Sequence, residues 1–176
     1  MTERTIIAGS GGQGVMLLGK VLAEAAMKEN KYVTWLPAYG AEVRGGTAYC
    51  MVIISDEEIG SPYINTADTL IIMNGASLEK FRARLKKNGL LIINSSLAQF
   101  NNPDKTITVV QYPFSDMAAN LGNIKTANMI ALGAYLIIKK TVDFKNVLAT
   151  IKVIAPTDKR DLIAINKQAL IKGMAL

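Results

Sequence analysis

The sequence predicts an α/β protein, one domain over residues 1–176 built as an open, mostly parallel sheet with helices on both faces and a helical C-terminal third. Three observations carry that expectation. Apolar runs of strand length alternate with longer segments of helical period. The runs are apolar at successive rather than alternate residues, as in strands buried on both faces. The first run enters its helix through Gly9-Ser10-Gly11-Gly12-Gln13-Gly14, a strand-to-helix turn that only a glycine-rich backbone makes sharply. Half of the residues are hydrophobic and 19% are charged, the balance of a chain with a core and not of a disordered one. At 176 residues one such core suffices.

Taken in order, Thr5-Ile6-Ile7-Ala8 is the first strand, and Gly14 to about Glu29 is an amphipathic helix. Lys31 to Leu36 follows as a second strand, giving a βαβ start, and Pro37 is expected to stop it. Ala48 to Ile54 is a buried strand containing Cys50, with Asp56-Glu57-Glu58 as a polar turn behind it. Thr69 to Asn74 is a further strand. Ser77 is expected to cap a helix reaching Asn88 and ending near Gly89, which leads into the strand Leu90 to Asn94. Thr106 to Gln111 is the last strand. Lys125 to Lys140 is a helix apolar nearly all round and hence buried. Phe144 to Ile151 and Thr157 to about Lys172 complete the helical third, with Thr157 and Asp158 suited to the N-terminus of the final helix.

Composition excludes several chemistries. No histidine occurs, which removes the usual zinc sites and histidine-based triads, and the single cysteine can form neither an internal disulfide nor a four-cysteine cluster. Cys50, inside an apolar run, reads as a small core residue. Met129 to Ile138 is the longest apolar run of the helical region and is too short to span a bilayer. Met1-Thr2-Glu3-Arg4 carries no leader pattern, so a cytoplasmic protein without membrane association is expected. The net charge of +6 suits an acidic or phosphorylated partner. Arg82, Arg84, Lys86 and Lys87 cluster on the expected helix as a solvated face, and nucleic-acid binding is not expected from it.

Two stretches carry the functional signal. Gly9, Gly11 and Gly14 have the G-x-G-x-x-G spacing, and the helix that follows offers unpaired N–H groups and a partial positive charge to an anion. A dinucleotide site also wants an acid about 20 residues on, and Tyr32-Val33-Thr34-Trp35-Leu36-Pro37 supplies none, which argues against NAD or FAD. The bland alternative is a tight turn and nothing more. The second stretch, Tyr39-Gly40-Ala41-Glu42-Val43-Arg44-Gly45-Gly46-Thr47, places a guanidinium fork beside paired glycines. Its bland alternative is a Glu42–Arg44 contact that only shapes the loop.

Together, and with Asn123 to Leu132, these stretches resemble the gamma subunits of the 2-oxoacid:ferredoxin (acceptor) oxidoreductases over nearly the whole chain, those acting on 2-oxoglutarate most of all. The resemblance implies a single gamma-type domain of the pyruvate/ketoisovalerate oxidoreductase kind. It implies one share of a complex that oxidatively decarboxylates a 2-oxoacid to its acyl-coenzyme A and passes electrons to ferredoxin or another acceptor. Thiamine diphosphate, magnesium and iron–sulfur clusters are then expected on alpha and beta partner subunits, with or without a ferredoxin-like delta, and no catalytic or metal-binding residue on this chain. Gly9, Ser10, Gly11, Gly12, Gln13 and Gly14 are implied to face coenzyme A or the interface beside it. Glu42, Arg44, Gly45, Gly46 and Thr47 are implied to face partner subunits. The chain alone is expected to be inert and to dimerise. The competing functions are a member specific for pyruvate or a branched-chain 2-oxoacid, a stand-alone nucleotide-binding α/β protein, and a non-catalytic scaffold.

Overall fold

The computed structural model describes residues 1–40, 46–101, 105–155 and 160–176. Its elements are β1 (Thr2–Ser10), α1 (Val15–Met27), β2 (Tyr32–Tyr39), β3 (Thr47–Ser55), β4 (Ala67–Ile72), α2 (Gly75–Phe81), β5 (Leu85–Asn94), β6 (Thr108–Tyr112), α3 (Phe114–Asn120), α4 (Ala127–Lys139), α5 (Phe144–Ile154) and α6 (Arg160–Met174). The six strands lie in the order β2-β3-β1-β4-β5-β6. β1, β4, β5 and β6 are parallel neighbours, whereas β3 runs antiparallel to both β1 and β2. The sheet is therefore open and mostly parallel. β1 and β2 share a direction, as a βαβ start requires, but β3 lies between them.

Pro37 does not stop β2, which continues through it to Tyr39. The reason is its place on an edge. Gly40 N–H donates to Thr47 O at 2.7 Å in continuation of the β2–β3 register, so even-numbered residues present their N–H to β3. The nitrogen of Pro37 consequently faces outward, where no ladder bond is lost.

Successive side chains of β1 go to opposite cores. Ile7 packs with Leu18, Leu22, Met129 and Ile130 from α1 and α4, and Phe114 of α3 and Ile151 of α5 join that same cluster. Ile6 and Ala8 pack with Leu78 and Phe81 of α2. Helices thus cover both faces, unequally. α4 is buried nearly all round, as its composition predicts, because α6 covers its outer side: a side chain at Gly133 would strike Leu170 O, and one at Gly173 would strike Ile130 O. These are backbone-to-backbone contacts that only glycine permits.

Several sequence expectations are corrected. The cap of α2 is Asn74, whose side chain accepts from Ser77 N–H at 2.9 Å, and Ser77 is a buried residue inside the helix. α2 ends at Phe81, not Asn88. Arg82 and Arg84 then form a 3-10 turn, and Lys86 and Lys87 lie on β5, so these four are not one helical face. Lys86 instead pairs with the buried Asp68. Lys125 belongs to a 3-10 turn, Ile124–Thr126, and α4 begins at Ala127. Helix α3 follows Pro113 and was not expected. Thr157 and Asp158 lie outside the described residues.

Cys50 is fully buried and its Sγ donates to Val15 O at 3.4 Å. Burial pushes its thiol up to about 12, against smaller opposing contacts from Trp35 and Gly19. The Tyr135 hydroxyl, which accepts from Thr141 at 3.1 Å, is also held above its ordinary range by burial first and the Glu3 carboxylate second. Both groups stay neutral in the fold at a pH where they ionise in the open chain. Their stabilisation is present below the unfolded values and is lost as pH climbs toward the folded ones, by up to about 1.4 kcal/mol per pH unit for each group. Urea unfolding between pH 8 and pH 11 should show the midpoint falling from about pH 9 upward. Tyr135→Phe should make that fall shallower above about pH 10 and leave the Cys50 share, which runs on from about pH 9.

Candidate functional site

The helices that follow β1 and β4 leave to opposite faces, α1 to one and α2 to the other. The carboxyl ends of β1 and β4 therefore flank a topological switch point, the place where open α/β sheets bind ligands. The glycine stretch after β1 lies there.

Side-chain amides close this edge. Gln13 Oε1 accepts the Ser10 N–H at 2.7 Å and Gln13 Nε2 donates to Met73 O at 3.1 Å. Asn74 Nδ2 donates to Ser10 Oγ, and to Gln13 Oε1 at 3.4 Å. Further along, Asn94 Nδ2 donates to Met73 O at 3.3 Å and to Ser115 Oγ at 2.8 Å, while Asn94 Oδ1 accepts from Ser115 N–H at 3.2 Å. On the other side Asn128 Nδ2 donates to Gly14 O at 3.0 Å. Asn74 and Asn94, each just past an apolar strand run, are joined across the edge without any charge.

The six residues of the first stretch divide. Gly9 is enclosed, and a Cβ there would lie 2.6 Å from Gln13 Oε1. Gly14 has φ +71° and a side chain on it would run into the Asn128 amide, so both glycines serve the turn itself. Gly11 and Gly12 are exposed with open space around them, and Gly11 has no positive φ to explain its identity. Ser10 and Gln13 are half-buried and occupied with the loop. The tip, Gly11-Gly12, is what remains for another molecule.

The two sequence stretches meet. Ser10 pairs with Thr47 in the β1–β3 ladder, and Gly11 N–H donates to Gly46 O at 3.4 Å. Glu42, Arg44 and Gly45 lie outside the described residues. On one side of the tip a crevice of about 180 Å³ is lined by Gly12, Gln13, Met73, Ser115, Ile124 and Lys125 among others. On the other, a shallower depression runs past Gly14, Met16 and Leu17 to Tyr39. α1 has no side-chain cap and no acid in its first turn, so its leading N–H groups offer donors to an anion in the depression beside Tyr39, while the exposed Lys125 lines the crevice on the other side of the tip. Lys125 and Ser115, which line the crevice, and Asn128, which braces Gly14, are residues beside the tip that spacing alone did not single out. Their signal was polarity at the ends of apolar runs.

Fold and site define an open α/β domain whose glycine elbow, at the switch point, presents a bare tip between two depressions. The chain belongs to the pyruvate ferredoxin/flavodoxin oxidoreductase family, whose sequence pattern matches residues 4–176. It is 38% identical to the ketoisovalerate oxidoreductase subunit VorA of Methanothermobacter thermautotrophicus over 133 residues, 76% of this chain but only 28% of that one. It is 32% identical to the 2-oxoglutarate synthase subunit KorC of Methanothermobacter marburgensis over 98% of this chain and 99% of that one. The crystal structure of the gamma subunit of a keto/oxoacid ferredoxin oxidoreductase from Geobacter sulfurreducens is similar at TM-score 0.83 and 27% identity, covering 98% and 96% of the two chains. The same fold recurs in 2-oxoglutarate:ferredoxin oxidoreductase from Magnetococcus marinus, a structure with 2-oxoglutarate, coenzyme A and succinyl-CoA bound, at TM-score 0.90 and 22% identity over 99% of this chain and 30% of that one. The chain thus spans less than a third of the VorA and Magnetococcus chains and nearly all of the KorC chain. No helix among the described residues is long and apolar enough to cross a membrane.

Substitutions separate the turn's glycines from the tip's. Gly14→Ala should destabilise the chain by about 1–3 kcal/mol, through positive φ and the Asn128 clash. Gly11→Ala should stay within about 0.5 kcal/mol of wild type in urea denaturation.

Proposed function

We propose that this chain is the gamma subunit of a multi-subunit 2-oxoglutarate:ferredoxin (acceptor) oxidoreductase, and that its glycine elbow faces coenzyme A and the partner subunits. The observation that carries this reading is the end-to-end correspondence with KorC, 98% of one chain against 99% of the other. Coenzyme A, when bound, supplies the thiol that accepts the acyl group. This chain's part is to hold the cofactor's phosphates above Gly11-Gly12, between the first turn of α1 and Lys125, where the fit of donors to an anion favours them. The iron–sulfur clusters belong to alpha and beta partners, with or without a ferredoxin-like delta, because the single Cys50 is buried and committed to the core, and thiamine diphosphate and magnesium are assigned to the same partners. Gly46 and Thr47, beside the tip, and Glu42, Arg44 and Gly45 with them, face those partners. The isolated chain is inactive and associates with itself.

Higher identity to VorA over three-quarters of the chain favours a second reading, a branched-chain 2-oxoacid enzyme with the same division of labour. Anaerobic purification through a tag on this chain, followed by assay with 2-oxoglutarate, 2-ketoisovalerate and pyruvate, decides between them. Co-purification of a thiamine-binding chain, with turnover greatest on 2-oxoglutarate, is the expected result. Greatest turnover on 2-ketoisovalerate would replace the first reading by the second, and turnover by the lone chain would overturn both.

Arg44 gives a sharper check. Arg44→Ala should leave the melting temperature of the isolated chain unchanged. In the complex it should weaken assembly or raise the coenzyme A requirement, by about 2–5 kcal/mol if its partner charge is left buried and unpaired. Arg44→Lys should recover only part of this. A destabilised subunit in a kinetically normal complex would assign Arg44 to bracing its own loop.

A further inference from the structure

β2 is an edge of the sheet, with β3 as its one neighbouring strand. Its even-numbered residues give their N–H and C=O groups to β3, so Val33, Trp35, Pro37 and Tyr39 present theirs to the open side. Two of the outward positions are closed. Pro37 has no N–H, and Lys31, just before the strand, turns its own back to Ala26 O at 3.3 Å. Between these bounds only Val33 and Trp35 carry outward donors, and among the described residues neither N–H has a partner.

A bare edge takes on another strand unless charged side chains, a bulge or a covering segment blunt it. No residue from Tyr32 to Tyr39 is charged, and the β2–β3 register runs without a shift. Tyr32 is 48% exposed and Trp35 37%. Pro37 blunts the edge at its own position and leaves the segment before it open.

The two donors specify the strand that fits. In an antiparallel pair, residues exchange both of their hydrogen bonds at every second position. Val33 and Trp35 stand symmetrically about Thr34, so a two-fold axis through Thr34 sets Val33 of each copy against Trp35 of the other and satisfies every outward donor between Lys31 and Pro37. The same register opposes Tyr32 with Leu36, sets aliphatic against aromatic side chains on both faces, and brings no like charges together. Thr34 meets its own copy on the axis. Its Oγ1 is shielded from solvent with no hydrogen-bond partner among the described residues, and a threonine pair across the strands supplies one after a turn about χ1. A second copy of the chain thus meets the backbone, the side chains and the unpaired hydroxyl at once.

We propose that two copies of this chain join edge to edge through antiparallel β2 strands centred on Thr34, making one continuous sheet. The proposal rests on the reading that the isolated chain associates with itself and names the surface it uses. The paired segment is short, so the dimer depends on concentration.

The test is cysteine cross-linking of the isolated full-length chain, with sedimentation beside it. Cα atoms of a pair such as Thr34 with Thr34 stand about 4.5 Å apart, inside the disulfide range of about 4.4–6.8 Å. Under mild oxidation Thr34→Cys should give a covalent dimer on non-reducing electrophoresis. Tyr32→Cys, which faces Leu36 in this register, should stay at the wild-type level, and the native Cys50 is buried. Val33→Pro removes an outward donor and no ladder bond within the chain, so it should keep a near wild-type melting temperature at low concentration while weakening the dimer about tenfold or more. If Val33→Pro fails to fold, the cysteine variants decide alone. Equal cross-linking of Tyr32→Cys and Thr34→Cys, no cross-linking of Thr34→Cys, or a wild-type dimer from Val33→Pro overturns the inference and leaves self-association standing on another surface. A wild-type chain that remains monomeric at high concentration overturns the inference and self-association together. Neither result touches the gamma-subunit reading, which co-purification with a thiamine-binding chain tests separately.

Discussion

Three segments meet at Gly9 with no room for a side chain: a Cβ there would lie 2.6 Å from Gln13 Oε1, 2.9 Å from Met73 Cβ and 3.0 Å from Val15 Cγ1. This crowding ties the end of β1 to the start of α1 and to the end of β4 at one point. It forces the chain to turn tightly, aims α1 back across the face that α4 and α5 also cover, and leaves the Gly11-Gly12 tip standing clear. The elbow is rigid at its base and bare at its top, the form expected of a surface that another molecule approaches closely.

The base is held by neutral amides. Gln13 satisfies the Ser10 N–H from within the loop. A buried anion in that position would need its own desolvation offset, whereas an amide needs only geometry. The consequence is positional: the amides occupy the base of the elbow, and the first turn of α1 and Lys125 border the depressions on either side of its tip. Charge is instead concentrated at the opposite end of the sheet. There Glu3 meets Lys139 at 3.0 Å and Thr69 at 2.6 Å, and Asp68 takes Lys86 and the Arg4 N–H. Both carboxylates are buried, while Lys86 is 46% exposed and Lys139 23%, so solvent screens each pair from its cation's side.

The helical third supplies the other constraint. α4 can be apolar on all sides only because something covers each side, and Gly133 and Gly173 let α6 approach until backbones touch. The close fit is local. Where α6 moves away from these glycines its aliphatic residues stay partly in water, and a crevice beside α1 and α5 is the result. The same packing that completes the core creates the apolar surface next to the elbow.

Much of this was legible in the residues. Successive apolar positions in Ile6-Ile7-Ala8 and Leu70-Ile71-Ile72 marked strands buried on both faces, since only such strands lose nothing by being apolar throughout. The glycine elbow, the buried Cys50 and the all-round apolar α4 were legible for similar reasons, each being a local composition with a single favourable environment. Strand neighbours were not, because pairing is set by what lies across the sheet. β3 entered between β1 and β2, and Pro37 survived in β2 because its nitrogen happened to face the open edge. Asn74 displaced Ser77 as a cap for a like reason, as its position depends on where β4 delivers the chain. Sequence alone determined which segments must be buried and where the backbone must turn, since those follow from side-chain chemistry residue by residue. Only the tertiary structure decided which segments face one another, joining Gly46 to Gly11 and Asn128 to Gly14 across long stretches of chain, because such contacts arise from packing shape and not from any local preference.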